Sequence, residues 1–291
     1  MRRKTAVITA VIIAFALLPA GCAQVSEGLP ISTEGILHEE LSYPVEVETL
    51  VFNESPKSVA SLSPALTEII CELGYEGLLT GISTYCNYPE NIGGRENIGS
   101  AANPDINAVI RIKPDLLLSQ SPIAKKDIAS IEESGTRVLI LPATTTVEGL
   151  YQLYSDLAAI FGGRLNAESA AEEALAPLKK ALAEAEGSVE SFIYIMDYKL
   201  SVAPPDTFAG DFFSYFGKNV INENGKINIT SEELAKYSPE YIFLTSESPA
   251  SELLPAEGSR TIIIDSQFAE RLERPSSRLE SVVYGVLGEV G

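Results

Sequence analysis

The stretch SVASLSPALTE, residues 58–68, decides the fold of this chain. Its first half is an apolar run of the length of a buried strand, and Ser63-Pro64 then marks the start of a helix. A serine hydroxyl caps the first N–H groups of a helix, and proline suits the first helical position because its missing N–H would have no partner there. The stretch therefore predicts a strand over residues 58–62 that leads directly into a helix over residues 64–73.

The same alternation of strand and helix continues on both sides of this stretch. Further strands are predicted at residues 45–52, 78–82, 116–119 and 138–141, with helices at residues 105–112 and 123–134. In the second half, structured segments are predicted at residues 192–197, 208–216, 231–237, 241–245 and 261–265, before a closing helix at residues 275–287. Such alternation is typical of βαβ units and a largely parallel sheet.

A segment with the composition of a long helix separates the two halves. Residues 146–186 are rich in Ala, Leu, Glu and Lys, with Gly162-Gly163 as the main interruption and Pro177 expected to kink or interrupt the helix. We therefore expect two α/β lobes with mostly parallel sheets, separated by a long helical connector. The expected divisions are an N-terminal lobe at residues 44–145, a helical connector at 146–187 and a C-terminal lobe at 188–291.

The N-terminus carries an export signal. Arg2, Arg3 and Lys4 precede an apolar run over residues 6–18, which is shorter than the about 20 residues of a membrane-spanning helix. Ala20-Gly21-Cys22 resembles a bacterial lipobox, although Pro19 departs from its pattern; an ordinary signal peptide with an incidental cysteine is the alternative. We expect a signal peptide at residues 1–22, a lipid on Cys22 and a tether at 23–43. The protein would then lie on the outer face of the cytoplasmic membrane, or in the periplasm of a two-membrane cell.

Composition excludes several classes of function. With 21 basic and 40 acidic residues, a net charge of −19 repels nucleic acid. Zinc and manganese receptors need several imidazoles, and the chain has one histidine, His38, in the tether. No Gly-rich phosphate loop is present, and Cys86 lacks the basic neighbour that a thiolate nucleophile requires. We expect a monomer that is not an enzyme and holds no metal or cofactor of its own.

Five motifs in order resemble one known family. They are residues 58–68, GISTYCNYP at 81–89, NPDI at 103–106 with IKPDL at 112–116, YSPEYI at 237–242, and FAER at 268–271 with Arg274-Pro275. Together they resemble the helical-backbone substrate-binding proteins of ABC importers, which are receptors for cobalamin, ferric siderophores and haem. The resemblance implies two Rossmann-like lobes joined by one long α-helix, a ligand in the cleft between the lobes and delivery to a membrane permease. Independently, ligands favour the carboxyl ends of parallel strands and clefts between lobes.

The loops that follow the strands supply hydroxyls, amides and aromatic rings suited to a flat, amphipathic ligand with a polar rim. The candidate ligand-binding residues are Ser63, Tyr85, Asn87, Tyr88, Ser119, Gln120, Ser121, Thr144, Tyr198, Gln267, Phe268 and Arg271. Sparse positive charge in these loops favours a near-neutral corrinoid or a hydroxamate chelate over an anionic catecholate.

Other ligands and classes stay open. The chain lacks Trp, which cobalamin receptors commonly stack on the ligand, and Phe268 stands where one such Trp is expected. Haem, with Tyr85 or Tyr88 as an axial ligand, is an alternative. A surface lipoprotein, or an enzyme acting on a small molecule in the cleft, is the alternative of a different class.

The resemblance also implies two contacts with the permease. In the family, one exposed glutamate on each lobe pairs with permease arginines, and the matching positions here are Glu96 and Glu232. Charged pairs across an interface set its register and its encounter rate.

Overall fold

The computed structural model describes residues 42–197, 199–245 and 258–291. The described strands are β1 (Val45–Val47), β2 (Leu50–Phe52), β3 (Val59–Ser61), β4 (Leu79–Ile82), β5 (Glu96–Asn97), β6 (Gly99–Ser100), β7 (Asn103–Pro104), β8 (Leu116–Ser119), β9 (Arg137–Ile140), β10 (Ser191–Ile195), β11 (Lys218–Asn219), β12 (Tyr241–Thr245) and β13 (Arg260–Ile264). The described α-helices are α1 (Pro64–Glu72), α2 (Ile106–Ile112), α3 (Lys125–Glu133), α4 (Val147–Gly162), α5 (Arg164–Ala185), α6 (Phe208–Ser214), α7 (Ser231–Tyr237), α8 (Ser266–Glu273) and α9 (Glu280–Val290). The signal segment, Cys22, His38 and Tyr198 lie outside the described residues.

The first lobe is built on a parallel sheet whose strand order is β5-β4-β3-β8-β9. Every residue of β3 and β8 is buried, because helices cover both faces of a parallel sheet. As predicted, the strand leads directly into α1, where the Ser63 hydroxyl accepts the N–H of Leu66 and Pro64 occupies the first turn.

The strand predicted over residues 45–52 is wrong. β1 and β2 instead form an antiparallel hairpin that pairs Val45 with Phe52, and the chain turns at Glu48, whose φ is 51°. The turn lets Val45, Val47 and Phe52 all face the core while Val51 stays half exposed. A straight strand through Glu48-Thr49 could not place both ends of the segment against the same core.

The second lobe is built on a parallel sheet of order β11-β10-β12-β13. Its core is aromatic: the rings of Phe192 and Phe243 stack with centroids 5.6 Å apart, and Phe213 lies 4.9 Å from Phe243. Two parallel sheets, one in each lobe, confirm the expected fold class.

The segment expected to be one long connecting helix, residues 146–187, contains two helices. α4 has 16 residues and is followed by Gly163, whose φ of 80° is readily reached by glycine. The longer α5 then runs for 22 residues through Pro177. α5 packs closely against α4 and also contacts α9 of the second lobe. One apolar cluster extends from Leu118 of the first sheet through Leu157 and Leu178 of the connector to Phe243 of the second sheet.

The C-terminal helix begins later than predicted. Ser276 is extended, its hydroxyl accepts the N–H of Arg278, and a 3₁₀ turn at Ser277–Leu279 precedes α9. Among the residues that the structure describes, no helix combines the length and the apolar character needed to cross a membrane.

Candidate ligand site between the lobes

The loop that follows β4, residues 83–89, reaches from the first lobe to the second. Asn87 lies on this loop, and its carboxamide oxygen accepts a hydrogen bond from Nη1 of Arg274, 3.0 Å away. Its Nδ2 donates a longer bond, 3.4 Å, to Oε1 of Glu270 in α8, and Arg274 forms an ion pair with the same carboxylate at 2.9 Å. The guanidinium carbon of Arg278 stands 3.8 Å from the centre of the Tyr88 ring. Asn87 and Tyr88, two predicted site residues, therefore lie where the lobes meet.

A buried carboxylate lies directly behind this loop. Glu68, on α1, is 3 % exposed, and its Oε2 is 2.8 Å from Nη1 of Arg278. Burial raises the pKa of Glu68, whereas the hydrogen bond and the charge of Arg278 lower it less. An unpaired carboxylate in this position would be costly, so the arginine of the second lobe accompanies it.

A second polar contact joins the lobes deeper in the structure. Tyr154 of α4 is fully buried, and its hydroxyl forms a short hydrogen bond with Oε2 of Glu72. The N–H of Ser277, in the second lobe, donates to the Tyr154 oxygen at 2.8 Å and to Oε2 of Glu72 at 3.2 Å. Contacts between the lobes thus run from this buried group, through Glu68 and Arg278, to the exposed Asn87.

Tyr85 is the most exposed aromatic side chain of the loop, with 62 % of its surface accessible. The adjacent Cys86 is half-buried, and its thiol lies 3.3 Å from Oγ1 of Thr67 on α1. Burial raises the pKa of Cys86, so the thiol is not activated as a nucleophile. The loop presents one free aromatic ring and keeps its thiol turned towards α1.

Three predicted hydroxyls of the first lobe, those of Ser63, Ser119 and Thr144, donate to local partners. Ser63 and Ser119 are buried; Ser63 donates to Oε1 of Gln120 at 2.5 Å, and Ser119 donates to the carbonyl of Ser121 at 2.7 Å. Thr144 donates to the carbonyl of Thr146 at 2.8 Å, next to the cap of α4. These bonds shape the ends of the strands; Ser121 is exposed, whereas Gln120 and Thr144 are half-buried.

Of the predicted residues of the second lobe that the structure describes, one is exposed and two contact other residues of the same lobe. Gln267 is exposed in the first turn of α8. Phe268 packs against Gly285 of α9, where a Cβ would stand only 2.6 Å from the ring, and the Arg271 guanidinium lies 5.3 Å from the ring centre. Arg271 also donates a short hydrogen bond to Ser281. Phe268 is thus largely engaged within its own lobe.

Glu68, Arg274 and Arg278 lie at the lobe boundary but are not among the site residues predicted from the sequence. The spacing of Arg271, Arg274 and Arg278 was visible, yet Glu68 and Arg278 are separated by 210 positions and meet only when the lobes pack. A groove of about 490 Å³ between α4, α5 and α6 includes none of the predicted site residues. Within residues 42–197, 199–245 and 258–291, no cluster of three or more His, Cys, Asp or Glu side chains is arranged to hold a metal ion.

The two glutamates predicted to dock the permease lie on different lobes. Glu96, on edge strand β5, is exposed and forms a short ion pair with Arg111 of α2. Glu232 is exposed in the first turn of α7.

Comparison with known proteins finds curated relatives that align with most of the chain. An uncharacterized ABC transporter substrate-binding lipoprotein of Bacillus subtilis is 24 % identical over 282 residues, which is 88 % of this chain and 85 % of that protein. A cobalamin-binding protein of Halobacterium salinarum is 23 % identical over 239 residues, which is 79 % of this chain and 59 % of that protein.

Solved structures share the fold. The periplasmic vitamin B12 binding protein of Vibrio cholerae superposes with a TM-score of 0.64 at 18 % identity, covering 81 % of this chain and 96 % of that one. A periplasmic haem-binding protein from Pseudomonas aeruginosa gives a TM-score of 0.60 at 20 % identity, covering 80 % and 92 %. At such identities the likeness establishes architecture and leaves the ligand open.

The family itself follows from the sequence match. A family profile described as Periplasmic binding protein matches residues 59–262, which include both sheets and the connector. The chain therefore belongs to the periplasmic binding protein family and is a non-catalytic substrate-binding protein of an ABC importer.

Proposed function

We propose that the chain captures a metal chelate, either a cobalamin-type corrinoid or a ferric siderophore, between its lobes and delivers it to the importer's permease. The observation that carries the proposal is the loop at residues 83–89, which spans the lobe boundary and leaves the Tyr85 ring exposed. An exposed ring beside hydrogen-bonding amides suits a flat ligand with a polar rim. The relative in Halobacterium salinarum bears the name of a cobalamin-binding protein, which supports the corrinoid class.

Charge at the boundary favours a ligand close to neutral. Arg271, Arg274 and Arg278 lie together, but Arg274 is paired with Glu270 and Arg278 with Glu68. Three guanidinium groups against two carboxylates leave little positive charge for a ferric catecholate. A corrinoid or a hydroxamate chelate agrees better with this balance.

Haem remains a second candidate because of Tyr85. An axial ligand must present its phenol oxygen to the iron, and Tyr85 is exposed, whereas Arg278 covers one face of Tyr88. If haem is the cargo, Tyr85 is therefore the preferred axial ligand.

We also propose attachment and docking. A lipid on Cys22 would hold the exported protein at the membrane, and Glu96 and Glu232 would contact the permease. Docking through Glu96 exchanges its ion pair with Arg111 for one with the permease.

Calorimetric titration tests the ligand class. The chain from residue 23 onwards is titrated with cobalamin, a ferric hydroxamate and haem, with absorbance as a second probe. We expect tight one-to-one binding of cobalamin or the hydroxamate. If the protein binds haem but neither of the other two ligands, haem replaces the corrinoid or siderophore as the proposed cargo. If the folded protein binds none of the three ligands, the proposal is refuted.

A substitution at Tyr85 tests the loop. Tyr85→Ala removes a stacking surface that contributes about 0.5–1.5 kcal/mol, so we expect the dissociation constant to rise about two- to twelvefold. Tyr284→Ala, an exposed tyrosine on α9, is the matched control and should leave affinity unchanged. Equal affinities for the two variants would remove the loop from the site.

A further inference from the structure

Three side chains from separate parts of the chain meet at the lobe boundary, and we call them the interlobe clamp: Glu68, Tyr88 and Arg278. The first two belong to the first lobe, on α1 and on the loop after β4, and Arg278 belongs to the 3₁₀ turn of the second lobe. The ion pair measures 2.8 Å, and the guanidinium carbon lies 3.8 Å from the Tyr88 ring centre. One arginine thus contacts both an acidic and an aromatic side chain of the opposite lobe.

Arg278 uses the plane and the face of its guanidinium group for two different contacts. A guanidinium is planar, so it can donate to a carboxylate in its plane while it stacks on a ring with its face. Glu68 therefore fixes the orientation of Arg278, and Arg278 in turn covers one face of Tyr88. The neighbouring Asn87 is held by Arg274 of the same lobe as Arg278. The position of the loop consequently depends on the second lobe.

Stability alone does not account for the clamp. Glu68 is 3 % exposed and the Arg278 side chain 27 % exposed, so forming the pair removes a carboxylate from water. Buried ion pairs often contribute little net stability compared with uncharged side chains, because the cost of desolvation offsets the attraction. What such a pair can specify is a particular arrangement of its surroundings.

We propose that Glu68 and Arg278 are positioning residues that hold the loop at residues 83–89 against the second lobe, so that closure of the lobes places Tyr85 and Asn87 on the ligand and opening withdraws them. The role in ligand retention rests on the proposed function, whereas the role in joining loop and lobe does not. When the lobes part, the ion pair and the ring contact break together. Retention of the ligand is then coupled to the clamp rather than to the ligand contacts alone.

The decisive variant is Glu68→Gln with Arg278→Gln in the purified full chain, because it removes both charges and leaves neither buried alone. The control is Lys180→Gln with Glu184→Gln, an exposed ion pair on α5. Amide hydrogen exchange is measured without ligand. We expect exchange in peptides covering residues 83–92 and 274–281 to accelerate about fivefold or more in the clamp variant and to stay at the wild-type rate in the control.

A second readout concerns the ligand. We expect the clamp variant to release the chelate about tenfold faster, with an association rate changed less than about threefold. Arg278→Lys should be intermediate in both measurements, since a lysine keeps the charge but cannot stack a flat face on Tyr88.

The outcomes separate the two proposals. If the clamp variant exchanges its amides at the same rate as the control variant, the clamp proposal is wrong. It is also wrong if the amides of residues 83–92 in the wild type already exchange as fast as those of unprotected loops. Faster exchange in a protein that binds none of the tested chelates would support the clamp and refute the proposed ligand class. If the double variant does not fold, Arg278→Lys provides the test. Amide exchange and ligand release at wild-type rates in Arg278→Lys would overturn the proposal.

Discussion

At the scale of single residues, the lobe boundary is organised by a few polar side chains that are buried with their partners. Tyr154 illustrates the principle, since its ring packs in the core while its hydroxyl meets Glu72 and Ser277. A buried hydroxyl without partners would be unfavourable, and each partner here comes from a different element. The hydrogen bonds therefore fix how α1, α4 and the second lobe fit together.

Replacement of this hydroxyl should lower stability. Tyr154→Phe keeps the ring but withdraws a hydrogen bond from Glu72 and from Ser277, which we expect to reduce the free energy of unfolding by about 1–3 kcal/mol. Urea unfolding measures the change, and Tyr284→Phe serves as an exposed control with little effect. A loss below about 0.5 kcal/mol for Tyr154→Phe would show that the hydroxyl does not join the lobes.

At the scale of secondary structure, caps determine where helices begin. α7 starts with a capping box in which the Thr230 hydroxyl accepts the N–H of Glu233 and the Glu233 carboxylate accepts the N–H of Thr230. Lys226 adds an ion pair to the same carboxylate at 2.9 Å. The Thr-x-x-Glu spacing is a signal that can be read in sequence, and it places Glu232 in the exposed first turn.

The capping box predicts a pH dependence. The hydrogen bond from the Thr230 N–H, followed by the contact with Lys226, lowers the pKa of Glu233 from its ordinary value of 4.5. Because the folded pKa lies below the unfolded one, the stabilisation is present above about pH 4.5 and is lost as the pH falls through the folded pKa.

Thermal unfolding across pH checks this sign. Glu233→Gln should melt below the wild type at pH 7, and the difference should shrink progressively below about pH 4.5. Glu232→Gln, its exposed neighbour, should show no such convergence. A gap between Glu233→Gln and the wild type that persists at the lowest pH would contradict the assignment.

At the scale of the whole molecule, the two lobes share one apolar cluster through the connector, and each carries one glutamate proposed to dock the permease. Simultaneous contact with both lobes would let the permease act on their separation. Such contacts control encounter and register more than they control binding of the cargo.

Charge reversal separates docking from capture. Glu96→Lys combined with Glu232→Lys should reduce cellular uptake of the chelate at least about tenfold while the purified protein keeps its affinity. Glu184→Lys, an exposed glutamate on the connector, is the control and should leave uptake intact. Normal uptake by the double variant would eliminate both residues from the docking surface.

Much of the fold follows from local pattern. The strand at 116–119 and the strand at 241–245 were predicted with the bounds that the structure shows, since each is an apolar run buried on both faces. Ser63-Pro64 predicted the start of α1 because capping and proline chemistry act within a few residues. The hairpin at residues 45–52 was not predicted, because its turn depends on Glu48 adopting a positive φ, which is uncommon for glutamate.

The site was only partly accessible from sequence. Asn87 and Tyr88 were predicted from their loop and do reach the lobe boundary, whereas Ser63, Ser119 and Phe268 have partners within their own lobes that local pattern does not reveal.

The sequence by itself determined the alternation of strands and helices and the family. Only the tertiary structure decided that Glu68 meets Arg278 and that Arg278 covers Tyr88. The reason is physical: helix and strand preferences arise between residues a few positions apart, but partners about 200 positions apart are chosen by how two lobes pack around a shared core.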